Sequence, residues 1–144
     1  MSAQDLTEAL AKMSWSLEHD EFALVGFTDP PTPEDVELLT HAPSQLIRER
    51  DETTLLVRAS DVDAVRLRHP DLRSEAPLLW IRFEAAMGWE VVGFLAHVTS
   101  ALAAAGIPIG AVCSFSRDHL FVNAAYRSAM AVVLDDLFPR QVAP

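Results

Sequence analysis

The sequence predicts an α+β protein built from two βαββαβ modules in tandem, with antiparallel sheets and their helices on one face. Three observations carry that expectation. Residues 89–122 read WEVVGFLAHVTSALAAAGIPIGAVCSFSRDHLFV, which is helix, strand, tight turn and strand in order. Residues 44–59 alternate apolar and polar side chains on both sides of Asp51-Glu52, the pattern of a half-buried antiparallel hairpin. Short helical patterns follow each hairpin, so one plan is written twice, irregularly in the N-terminal half. The modules are expected at residues 1–73 and 74–144. No sequence repeat is visible, so the duplication is architectural. Six clear strands fall short of the eight that two complete modules need. Either a strand is lent between modules or a sheet runs continuously across them.

The N-terminal half begins with a helix over Gln4–Trp15, where Leu6, Leu10 and Met13 share helical spacing and Ser2 is available as cap. Phe22–Phe27 reads as a strand. Asp29-Pro30-Pro31-Thr32-Pro33 reads as a loop, because three prolines remove donors and restrict φ. One or two helical turns follow over Glu34–Thr40, with Thr32 as cap and Pro33 in first position. After the hairpin, Ser60 is expected to cap a helix over Asp61–Leu67, acidic at its start and basic at its end as the helix dipole favours. His69-Pro70 stops that helix, and residues through Ala76 read as a polar linker.

The C-terminal half opens with a strand at Pro77–Ala85. Val91, Val92, Leu95, Val98, Leu102 and Ala105 then recur at three- and four-residue spacing, one apolar helix face. Gly106 ends that helix by supplying a left-handed conformation without steric cost. Ile107–Phe115 and His119–Asn123 read as strands around a Ser116-Arg117-Asp118 turn. A last helix over Ala124–Leu137 carries Tyr126, Ala129, Met130, Val133 and Leu137 on one face.

Composition narrows the function. Half of the 144 residues are hydrophobic, so disorder is not an option. The net charge of −10 argues against nucleic acid and anionic membranes, which require clustered Lys and Arg. Residues 88–144 hold only −1 of it, which fits a buried or self-associating module. Cys113 is the single cysteine, so an intrachain disulfide and a thiolate metal cluster are both excluded. Within an apolar strand it reads as a buried structural thiol. The first residues lack a secretory pattern, and the longest apolar run is broken by Gly106, Pro108 and Gly110. A cytoplasmic protein is the expectation.

Val92-Gly93-Phe94-Leu95-Ala96, Ala105-Gly106-Ile107 and Asp118-His119-Leu120-Phe121-Val122 together resemble the ACT domain, an amino-acid-sensing module of ferredoxin-like fold. More narrowly, they resemble the second half of a largely unassigned bacterial tandem-ACT family. The resemblance implies a non-catalytic regulatory protein, without cofactor, that binds an amino acid at a module interface and assembles as a homo-dimer. By that resemblance the ligand lies against Gly88, Trp89, Glu90, Val91, Val92 and Gly93 at the corner before the first C-terminal helix. Gly110, Ala111, Val112 and Cys113 line it from the following strand, and Asp118 meets its ammonium group. Three departures bear on the pocket. The chain has Met87-Gly88 where the family carries a serine pair, Gly110 where it carries asparagine, and Ser116-Arg117 where it carries Tyr-His.

Each candidate also has a plainer reading. Unpaired N–H groups at a helix start can hold a carboxylate, yet Gly93 equally permits tight helix–sheet packing. Asp118 suits an ammonium group through a charge-assisted hydrogen bond, yet Asp is also a common turn-former. Arg117 can grip a carboxylate through its planar fork. Asp118-His119 as a catalytic or metal dyad is disfavoured, since neighbouring strand residues point to opposite faces. No zinc-helix, nucleophile-elbow or dinucleotide pattern is present. The alternative to a sensor is an oligomerisation scaffold of the same fold whose pocket has decayed.

Overall fold

The structure is a computed structural model that describes residues 5–141. In chain order its elements are α1 (Leu6–Lys12), β1 (Trp15–Leu17), β2 (Phe22–Phe27), α2 (Pro33–Glu37), β3 (Gln45–Arg48) and β4 (Thr53–Arg58). They continue with α3 (Val62–Arg68), β5 (Arg73–Phe83), α4 (Phe94–Ala104), β6 (Gly110–Cys113), β7 (Asp118–Asn123) and α5 (Arg127–Leu137). The chain divides into two units, Asp20–Leu78 and Met1–His19 with Leu79–Pro144. The sequence reading placed a single cut between residues 73 and 74.

Asp20–Leu78 follows a strand–helix–hairpin–helix–strand order. β2 pairs antiparallel with β4, from Phe22 opposite Arg58 to Phe27 opposite Thr53. β3 lies outside β4, and residues 73–78 of β5 pair antiparallel with the other edge of β2. The inward residues of that sheet, Ala23, Val25, Phe27, Leu55 and Val57, bury against Val65 and Leu72. Thr32 caps α2 with Pro33 in the first turn, as the sequence reads, and Asp35 makes the cap a reciprocal capping box. Two expectations change. Ser60 is not a cap but lies inside a 3₁₀ turn, Ala59–Asp61, that leads into α3. The supposed linker to Ala76 is the first part of β5. Its residues 73–77 are exposed, so main-chain pairing with β2 makes the strand without an apolar signal.

The second unit takes its fourth strand from the N-terminal end of the chain. β1 pairs antiparallel with β5, Trp15 opposite Phe83 and Leu17 opposite Ile81. β7 lies on the other side of β5, and β6 pairs with β7 at the far edge. Leu79, Ile81, Phe83, Leu120 and Val122 from the sheet bury against Phe94, Val98 and Leu102 of α4 and Met130 and Leu134 of α5. Trp15 is fully buried, and its indole N–H donates to Asp135 across 3.1 Å.

Here too the boundaries move. Asp5 caps α1 by accepting from the Glu8 N–H at 2.8 Å, and α1 ends at Lys12, before Trp15. Ser2, the expected cap, lies outside the described residues. α4 begins at Phe94, so Val91 and Val92 belong to the preceding corner and not to the helix. β6 covers only Gly110–Cys113 and is an edge strand, which leaves Cys113 exposed and not buried as expected. Asp118 falls inside β7, not in the turn. Among the described residues no helix is long and apolar enough to cross a membrane.

Candidate functional site

The corner before α4 and the β6–β7 hairpin together enclose a cavity of about 340 Å³ within the second unit. The corner is shaped by two glycines. Gly93 sits at φ +96°, the left-handed region where a side chain is strained, and caps α4 without a side-chain hydrogen bond. The first-turn N–H groups of α4 therefore receive no side-chain cap, and Phe94, Leu95 and Ala96, which bear them, line the cavity. At Gly88 the Glu90 carboxylate folds so closely over the Cα that a Cβ there would collide with it. The corner is tied to the hairpin by the Met87 N–H, which donates to the Ser116 carbonyl at 3.0 Å.

The hairpin contributes the polar groups. Its turn is closed by the Ser114 N–H donating to the Arg117 carbonyl at 2.8 Å, and Cys113 stands opposite Asp118 on one face of the two strands. Arg117 is anchored through Nε, which donates to the Glu84 carbonyl at 3.0 Å. Asp118 is half-buried, and burial raises its pKa above the usual carboxylate value. A cation and an anion thus stand side by side in the wall of one cavity.

Of the residues that the sequence singles out, Gly88, Trp89, Val91, Gly93, Cys113 and Asp118 line this cavity. Glu90, Val92, Gly110, Ala111 and Val112 are not among the lining residues. Ser114 and Phe115 are not legible as site residues in the sequence, because the apolar run Ile107–Phe115 reads as one unbroken strand. The Ser-Phe-Ser-Arg stretch between two apolar runs is the signal for a tight turn that places Phe115 at its tip. Phe115 is fully exposed there, and Trp89, also in the lining, is 92% exposed.

His119, next to Asp118, points away from the cavity, as strand alternation requires. The Trp80 indole N–H donates to His119 Nδ1 at 3.0 Å. An indole only donates, so Nδ1 is the acceptor and Nε2 carries the proton, facing Ser114 Oγ at 3.3 Å. Burial, reinforced by the nearby Arg82 and Arg117 cations, pushes the His119 pKa down to about 4 against the opposing pull of Glu84. A second polar cluster lies in Asp20–Leu78. There the fully buried Asp35 accepts from Arg68 Nε at 3.0 Å, meets His69 Nε2 at 2.7 Å, and His69 stacks on Phe27. Burial raises the Asp35 pKa, but its bonds to Thr32, Arg68 and His69 outweigh that and hold it below the ordinary value. This cluster ties α2 to the end of α3, and the sequence showed His69 only as a loop residue.

A search of the curated proteins finds no match to the sequence. Among solved structures, a protein from Agobacterium tumefaciens superposes with a TM-score of 0.75 at 16% identity, over 92% of this chain and 94% of that one. A Vibrio cholerae protein of unknown function, described as a possible transport protein, gives 0.66 at 23% identity over 89% and 91%. The regulatory subunit of aspartate kinase from Thermus thermophilus, in its ligand-free form, gives 0.60 at 12% identity over 86% and 96%. At these identities the likeness is one of fold. Within that fold, the stretch that runs from β5 through both cavity walls into α5, residues 73–135, matches the model of the ACT domain.

Proposed function

We propose that the chain is a non-catalytic regulatory protein, two ACT-like modules in tandem, that binds an α-amino acid in the cavity between the α4 corner and the β6–β7 hairpin. The observation that carries this reading is the adjacent Arg117 and Asp118 in the wall of a cavity that lies inside the ACT match. A zwitterion needs one partner of each sign. Asp118 takes the ammonium group, and Arg117 with the uncapped first turn of α4 takes the carboxylate. The cavity is of a size for one small molecule. Regulation follows if the ligand binds one assembly state, such as a homo-dimer closed over the open mouth, more tightly than another.

The test is a thermal-shift screen of the purified chain against the twenty amino acids, paired with sedimentation. A ligand at a hundred times its dissociation constant adds about 2.7 kcal/mol. For a domain of this size that raises Tm by roughly 9 °C. We expect a selective rise that Asp118→Ala abolishes while the fold persists. A flat screen at millimolar concentrations would leave a scaffold with a decayed pocket as the better account.

A further inference from the structure

We infer that the cavity selects an α-amino acid with an uncharged, apolar side chain, read by an aromatic rim made of Trp89 and Phe115. This rests on the amino-acid reading above and names the side-chain class within it.

Among the described residues that line the cavity, Arg117 and Asp118 are the charged ones, one of each sign. A zwitterionic backbone consumes both. Arg117 is held through Nε, and no bond within the described residues engages its terminal guanidinium nitrogens, which suits a two-pronged grip on a carboxylate. Glu90, the other charged residue of the corner, folds over Gly88 instead of lining the cavity and has a partner of its own. A ligand with a charged side chain would bring a third charge into the cavity with nothing to pair it, and a desolvated charge without a partner is strongly disfavoured.

Met87, Val91, Phe94 and Leu95 present apolar surface. At the mouth, Trp89 and Phe115 stand almost wholly in water although each belongs to the lining. Large aromatic side chains exposed beside a concave apolar site mark a surface that is covered when the site fills. They are carried on separate segments, one on the corner and one on the hairpin, and both belong to the lining of the same cavity. Size agrees, since about 340 Å³ lies at the small end of ligand sites and admits one amino acid, not a peptide.

The test measures binding of L-leucine, L-phenylalanine, L-alanine, L-aspartate and L-lysine to the full chain by calorimetry. We expect leucine or phenylalanine to bind on the order of tenfold or more tighter than alanine, aspartate and lysine, the range that apolar pockets achieve. Aspartate or lysine binding as tightly as leucine would overturn the inference and leave the amino-acid reading standing. No binding by any of the five would remove that reading as well. Location is read independently through Cys113, the chain's single thiol, which lies in the wall. Saturating phenylalanine should slow its alkylation by iodoacetamide several-fold, whereas the same concentration of aspartate should not. Binding that leaves alkylation unchanged places the ligand elsewhere and overturns the proposal. Trp89→Ser and Phe115→Ser change exposed positions and should fold. Each should weaken phenylalanine more than alanine, and an unaltered ratio in both would rule out the rim.

Discussion

His119 shows how one side chain's chemistry is decided by its surroundings. From the sequence it was one of five histidines, adjacent to a carboxylate and superficially part of a dyad. In the structure it is a neutral acceptor locked onto Trp80. Its folded pKa of about 4 lies below the ordinary histidine value of 6.5, so the folded state binds fewer protons than the unfolded chain. Its contribution to stability is therefore complete above pH 6.5 and lost as pH falls from 6.5 towards 4. At about 1.4 kcal/mol per unit, the loss amounts to roughly 3 kcal/mol. His119→Asn keeps an acceptor for the indole but does not titrate. Urea unfolding at pH 7 and pH 4.5 should show the wild-type chain losing more stability than the variant, whereas parallel losses would discard this account. The exposure of Cys113 belongs to the same scale. Apolar neighbours in sequence predicted burial, but an edge strand buries side chains only where something lies over them.

At the scale of elements, periodicity gave the right helices and misjudged where they begin. Val91 and Val92 share the spacing of Val98 and Leu102, yet α4 starts at Phe94 because Gly93 turns the chain through a left-handed conformation. A Cβ at Gly93 would also sit 3.2 Å from Leu6 Cδ2. Gly93→Ala should therefore cost about 1–3 kcal/mol, the usual penalty for a non-glycine residue held in that region. A thermal scan should show Tm falling by several degrees, and an unchanged Tm would mean the corner can rebuild without this conformation. The strand β5 makes the complementary point. Pro77–Ala85 was legible from its apolar run, whereas residues 73–76 look like linker because their side chains are exposed and only their main chain is committed.

For the whole molecule, the sequence correctly reported a shortage of strands and offered a lent strand as one solution, without naming the strand. β5 serves both units, with residues 73–78 pairing with β2 and residues 81–83 with β1. β1 completes the second unit although the paired positions, such as Leu17 and Ile81, lie more than sixty residues apart in the chain. Trp15 is fully buried in that core and Ser16 beside it is also fully buried. Residues 74–144 expressed alone should then fail to fold, lacking one strand and the largest buried side chain. Adding residues 5–19 as a peptide should restore dispersed amide NMR signals. Independent folding of 74–144 would show that β1 is dispensable. The candidate site was half legible for the same reason. Gly88, Gly93 and Asp118 stood out by residue type and by resemblance, while Phe115 and Ser114 entered only when the hairpin turn was placed.

The sequence by itself determined the α+β class, the hairpins, the cap at Thr32 and the helix stop at Gly106. These are local matters, set by side-chain periodicity, by the φ that glycine and proline allow, and by hydrogen bonds a few residues apart. Tertiary structure alone decided which strand completes the second unit, that Cys113 faces solvent, that His119 is neutral, and that Arg117 and Asp118 share a cavity wall with Trp89 and Phe115 at its mouth. Each of these depends on partners distant in the chain, and burial, pairing and pKa are properties of such neighbours, which no local pattern encodes.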